Sequence, residues 1–140
     1  MNEPLNFHYN VDGENFSSAG EASVDVKKRL RQLGFAPDVI RRVSIAMYEG
    51  EINMVIHASG GKANVLVHSD CIEIILEDKG PGIPDVSLAM QEGYSTAKDN
   101  IRSLGFGAGM GLPNMKKYTD RMDIDTTVGV GTTITMSVKL

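Results

Sequence analysis

The chain has 140 residues, a single-domain length, with 41% hydrophobic and 23% charged residues, an ordinary globular composition. Its formal net charge is −4 and its one basic cluster is "KKRLR" (27–31), which disfavours general nucleic-acid or anionic-membrane binding. Cys71 is the only cysteine, which excludes an intrachain disulfide and a multi-cysteine zinc site. With no signal-like start and no apolar run of spanning length, the expectation is one cytoplasmic domain over 1–140.

In chain order, "LNFHYNV" (5–11) alternates apolar and polar residues and predicts a half-buried strand. A helix is predicted next, with Ser17 or Ser18 as N-cap and Gly34 as its stop. Pro37 opens a second helix over 37–59, ended by Gly60-Gly61. Strands follow near 63–68 and 71–78 around a tight turn at Ser69-Asp70, then a short helix near 85–91. A long polar stretch ends in glycines before a helix near 112–120. Strands near 122–128 and 132–139 finish the chain, with "VGVG" as the hairpin turn.

The strand faces predict the assembly. Ile72, Ile74, Leu76 and Asp78 share one face of their strand, and Thr132, Ile134, Met136 and Val138 share one face of the last. The other faces are mostly polar, so the sheet is covered on one side only, as in a two-layer α/β sandwich. Asp78 therefore points toward the helix layer and Glu77 toward solvent. An acid on the covered face needs a polar partner. It either caps a nearby turn or meets a ligand beside the glycines of "DKGPGIPD".

Within "YEGEINMVIH", Glu49, Asn53 and His57 are spaced to line one helical stripe, while Glu51 faces roughly the opposite way. The chemical reading is that Glu49 handles a proton or aligns a nucleophile and that the Asn53 oxygen coordinates a hard cation such as Mg2+. The plain alternative is an exposed polar face, and for His57 a structural hydrogen bond near the helix end. "GFGAGMGLPN" (105–114) places glycines at 105, 107, 109 and 111 directly before a helix, a pattern suited to anions or to a hinge. It matches neither the P-loop nor the dinucleotide fingerprint.

Taken in order, Glu-x-x-x-Asn on a helix, Asp-x-Gly-x-Gly after a strand, clustered glycines and Gly-x-Gly-Thr resemble the GHKL ATPases, the group that includes gyrase, histidine kinases and MutL. The resemblance runs from about residue 5 to the end and is nearest to the anti-sigma regulatory serine/threonine kinases, in their switch-kinase branch. It implies a GHKL (Bergerat) fold, a mostly antiparallel mixed sheet covered on one face by helices. It implies ATP and Mg2+ as cofactors, Glu49 as general base and Asn53 as the Mg2+ ligand. Asp78 would accept the adenine amino group, with Gly80, Gly82 and Ile83 beside the purine and Thr132 supporting the pocket. Gly105, Gly107, Ala108, Gly109, Met110, Gly111 and Leu112 would wrap the phosphates, with loop 92–110 as a lid.

The implied partner is a STAS-domain regulatory protein carrying the acceptor Ser or Thr, with a sigma factor as a second partner and room for a homodimer. Two alternatives stay open: an ATP-dependent module that sequesters its partner with little turnover, and a detached histidine-kinase-like ATPase domain. The extra acid Glu51 and the glycine at 50 depart from the family pattern. The helical stripe favours Glu49 as the base.

Overall fold

A computed structural model describes residues 5–13, 19–58, 60–83, 85–90 and 111–140. The elements are β1 (Leu5–Asp12), α1 (Glu21–Gln32), α2 (Pro37–Ala58), β2 (Gly60–Val67), β3 (Cys71–Asp78), α3 (Val86–Ala89), α4 (Gly111–Lys117), β4 (Arg121–Thr127) and β5 (Gly131–Lys139). The strands form one sheet in the order β1-β2-β3-β5-β4. Its four ladders are all antiparallel, so the mostly antiparallel sheet expected from the sequence has no parallel pair among the described residues.

The alternation in the strands does what the sequence predicts. Val65 of β2, Ile72, Ile74 and Leu76 of β3, and Met136 and Val138 of β5 are buried on one face. Val26 and Leu30 of α1, Val43, Ala46 and Met47 of α2, and Met115 of α4 close over them. The opposite face keeps Glu73, Ile75, Thr133 and Thr135 only partly covered. Among the described residues no helix is long and apolar enough to cross a membrane.

Several boundaries differ from expectation, among them the end of α4, at Lys117 and not near 120, and the extent of α3, Val86–Ala89 and not 85–91. The second strand begins at Gly60, not near 63, because β1 continues to Asp12 and offers Gly60 and Gly61 a partner edge. The first helix is capped at Gly20, and Ser17 and Ser18 lie outside the described residues. Gly20 has no side chain to cap with, and the cap comes from another helix.

That cap is Glu51. Its side chain is only 3% exposed, yet both carboxylate oxygens are engaged. Oε2 accepts the N–H groups of Gly20 (2.9 Å) and Ala22 (3.2 Å). Oε1 accepts the Ser23 N–H (3.0 Å) and the Ser23 hydroxyl (2.6 Å). The orphan donors at the start of α1 and a buried charge on α2 thus satisfy one another. At its outer side α1 is tied to β1: the Tyr9 hydroxyl donates to Asp25 at 2.5 Å, Arg29 pairs with Asp25 at 2.7 Å, and Arg29 lies over the Phe7 ring. Bonds from Tyr9 and then Arg29 hold the Asp25 carboxyl below its ordinary range.

Removing the Glu51 carboxylate strands three N–H groups in a buried site. Glu51→Ala is expected to lower unfolding free energy by about 2–4 kcal/mol, the sum of a lost cap and unsatisfied donors. Glu51→Gln, which keeps one acceptor oxygen, should lose less. Chemical denaturation measures both, and an alanine variant as stable as the parent would contradict this account of α1.

Candidate functional site

The site is laid out along α2. Glu49 and Asn53 are both half-buried, and the first turn of α4 lies beside them. Gly111 stands against Asn53 so closely that a Cβ added there would come within 3.3 Å of the Asn53 Oδ1. One turn further along α4, the Asn114 side-chain amide donates to the Glu49 Oε1 at 3.4 Å. Burial raises the Glu49 pKa above its ordinary value, and the Asn114 amide opposes that rise. A carboxylate pushed upward in this way is better matched to taking a proton near neutral pH. His57 is half-buried, and burial lowers its pKa.

The other end of the site is the junction of β3, the "KGPG" turn and the β4–β5 hairpin. Asp78 sits at the end of β3, half-buried, opposite Thr132 of β5. Its Oδ1 accepts the Gly80 N–H at 2.9 Å and the Thr132 N–H at 3.2 Å. The turn-capping reading therefore holds for one oxygen of this acid. One oxygen caps the turn, and Oδ2 has no hydrogen-bond partner among the described residues.

The Thr132 and Thr126 hydroxyls lie 2.8 Å apart, and the Thr126 oxygen accepts the Ile83 N–H at 2.9 Å. Gly129 donates its N–H to the Pro81 carbonyl at 2.9 Å. The turn is thus stitched to the hairpin at two points.

Two glycines here have packing reasons of their own. A Cβ at Gly80 would lie 2.6 Å from the Ala58 Cβ, so the turn rests directly on the last residue of α2. Gly82 has φ +79°, and a Cβ there would lie 2.6 Å from the Thr127 carbonyl oxygen. Any side chain at Gly82 would be strained in its backbone and would collide with β4.

The rise of 1.5 Å per residue puts Asn53 about 7.5 Å, and Glu49 about 13.5 Å, along the α2 axis from Ala58, against which the Asp78 turn packs. The structure thus arranges Asp78, Asn53 and Glu49 in that axial order. Thr132 is buried beside Asp78, and Ile83 is partly buried against the core. Leu112 is buried in the core, where it anchors α4. Gly105, Gly107, Ala108, Gly109 and Met110, together with the rest of the expected lid, lie outside the described residues.

Sequence reasoning missed two residues at this site. Thr126 was legible in principle, because the hairpin register pairs it with Thr132. Asn114 carried a weaker signal, an amide in the first turn after the last glycine.

Comparison with known proteins bears on the family. Residues 38–140 match the family described as "Histidine kinase-, DNA gyrase B-, and HSP90-like ATPase". The chain belongs to this family. It is 32% identical over 108 residues to the serine/threonine-protein kinase RsbT of Bacillus subtilis, covering 74% of this chain and 75% of that protein. It is 34% identical over 125 residues to an anti-sigma F factor of Clostridium novyi, covering 85% and 84%. The mycobacterial sensor histidine kinase MprB shares the fold, with a TM-score of 0.54 at 16% identity over 96% of this chain and 97% of that one.

In this ATPase domain the raised Glu49 pKa has a sign that can be checked. The folded chain holds the Glu49 proton more tightly than the unfolded chain, which costs stability above the ordinary carboxylate range and nothing below it. Glu49→Gln is therefore expected to be more stable than the parent at neutral pH. The difference should vanish as the pH falls below about 4. Thermal unfolding across pH measures this, and a variant no more stable at neutral pH would contradict the burial of the charge.

Proposed function

We propose that the chain is an ATP- and Mg2+-dependent protein serine/threonine kinase of the anti-sigma regulatory type, acting on a Ser or Thr of a STAS-type regulatory partner. The observation that carries this reading is the axial order along α2, from Asp78 with one oxygen uncommitted, through Asn53, to a buried Glu49. That order suits a nucleoside triphosphate with its base at Asp78 and its terminal phosphate near Glu49. Asp78 accepts from the adenine amino group through Oδ2 while Oδ1 stays on Gly80 and Thr132. An acceptor at that position selects against the carbonyl of guanine.

The Asn53 amide oxygen offers one ligand to Mg2+, which commonly takes one or two protein ligands and completes its shell with phosphate and water. When bound, ATP supplies the phosphoryl group. Glu49 orients the acceptor hydroxyl and receives its proton as the new O–P bond forms and the bond to ADP breaks. Gly105 to Gly111 are assigned to the phosphates on the family resemblance.

The likeness to a protein named a serine/threonine-protein kinase supports turnover. The likeness to anti-sigma F factors favours a second reading, a module that holds its partner in an ATP-dependent way. Incubation with Mg-ATP and a genomically adjacent STAS protein, read by mass spectrometry, separates the two. Phosphoserine or phosphothreonine is expected. Tight binding without transfer selects the sequestering module, and phosphate on histidine selects a histidine-kinase-like domain.

Two variants test the site. Asp78→Asn should weaken ATP binding by about 1–3 kcal/mol, the cost of mispairing a buried polar group, and calorimetry showing equal affinity for GTP and ATP in the parent would refute the pocket. Glu49→Gln should keep nucleotide binding and lose most transfer, whereas Glu51→Gln should act on stability. The reverse result would exchange the two acids' roles.

A further inference from the structure

We infer that Asn114 is a positioning residue, whose side-chain amide holds the Glu49 carboxylate in place from the helix that follows the glycine-rich segment. The inference rests on Glu49 being the base. Three contacts in register carry it. Gly111 meets Asn53, Asn114 meets Glu49, and Met115 meets Gly50, where an added Cβ would come within 3.3 Å of the Met115 Cε. A step of four residues back along α2, from 53 to 49, is matched by a step of three forward along α4, from 111 to 114. The two helices therefore run past each other in opposite directions at this point, and Asn53 and Glu49 each have their own neighbour on α4.

The amide's location is fixed by packing. Leu112 and Met115 are buried in the core on either side of it, so α4 cannot roll without opening that core. The donor assignment follows from charge: with the amide turned over, its carbonyl oxygen would face a carboxylate oxygen, two acceptors in contact. Burial raises the Glu49 pKa, and this amide opposes the rise. At 3.4 Å the bond is long and has room to tighten. Asn114 and Glu49 are 65 residues apart in the chain, so the base is aligned by the element nearest the phosphate-binding glycines and not by α2 alone.

The test compares Asn114→Ala with Asn114→Asp. Asp keeps the shape of Asn but replaces the donor with a negative charge facing Glu49. A packing role predicts that Asp resembles Asn and that Ala is the worse of the two. A positioning role predicts the opposite order. Turnover of Mg-ATP with the adjacent STAS protein should fall about tenfold in the Ala variant and further in the Asp variant, with KM for ATP close to the parent's and thermal stability at neutral pH lowered in the same order.

A second readout needs no partner. Carboxyl carbon NMR of the nucleotide-free protein should show the Glu49 titration midpoint moving up in the Ala variant and up again in the Asp variant. Unmoved kcat and an unmoved Glu49 titration in both variants, beside an inactive Glu49→Gln, would overturn the inference and leave the base assignment standing. An active Glu49→Gln would instead remove the base assignment.

Discussion

A carboxylate that cannot stay buried alone organises this molecule. Glu51 lies in the α1–α2 interface at 3% exposure, where an unpaired charge would be strongly unfavourable. The start of α1 has the complementary problem, several backbone N–H groups with no intrahelical acceptor. Joining the two fixes more than a cap. It locks α1 onto α2, and it fixes the rotation of α2 about its own axis. With Glu51 turned into α1, Glu49 is turned about 200° away around the helix, toward α4. The presentation of the candidate base is thus a consequence of where the structural acid had to go.

The rest of the site divides into a rigid rim and a helix that reads along α2. The rim is covalently short and heavily bonded: Asp78, Gly80, Ile83, Thr126 and Thr132 form one connected set of hydrogen bonds across β3, its turn and the hairpin. Such a set holds the Asp78 carboxylate in a fixed orientation. The α2–α4 contact works differently. Its apolar anchors place two polar side chains opposite one another, so their juxtaposition depends on helix packing. Glycine serves both halves through its small size. Gly80 lets backbone rest on Ala58, where any side chain would push the two elements apart, and Gly111 leaves room for the Asn53 amide.

Much of the fold was legible because it is written in local periods. The alternation in 71–78 and 132–138 names the covered face, and that parity alone puts Asp78 on the helix side. The four-residue spacing of Glu49 and Asn53 likewise placed them on one stripe. Boundaries were less legible. The start of β2 depended on how far β1 extends, and the cap of α1 depended on a residue in another helix. Both are set by partners distant in sequence.

The sequence by itself determined the element order, the one-sided sheet and the family, because hydrophobic period and motif order are properties of the chain as read along its length. It also separated Glu49 from Glu51 by helical angle. It did not say which of them would be buried as structure, since that rests on donors 28 to 31 residues away. Only the tertiary structure decided that Glu51 caps α1, that Asp78 commits one oxygen to its own turn, and that Asn114 stands at Glu49. The physical reason is common to all three. A hydrogen bond needs its two atoms within about 3 Å at a favourable angle. That condition is met or missed by how helices rotate and pack, and no spacing along a single segment encodes it.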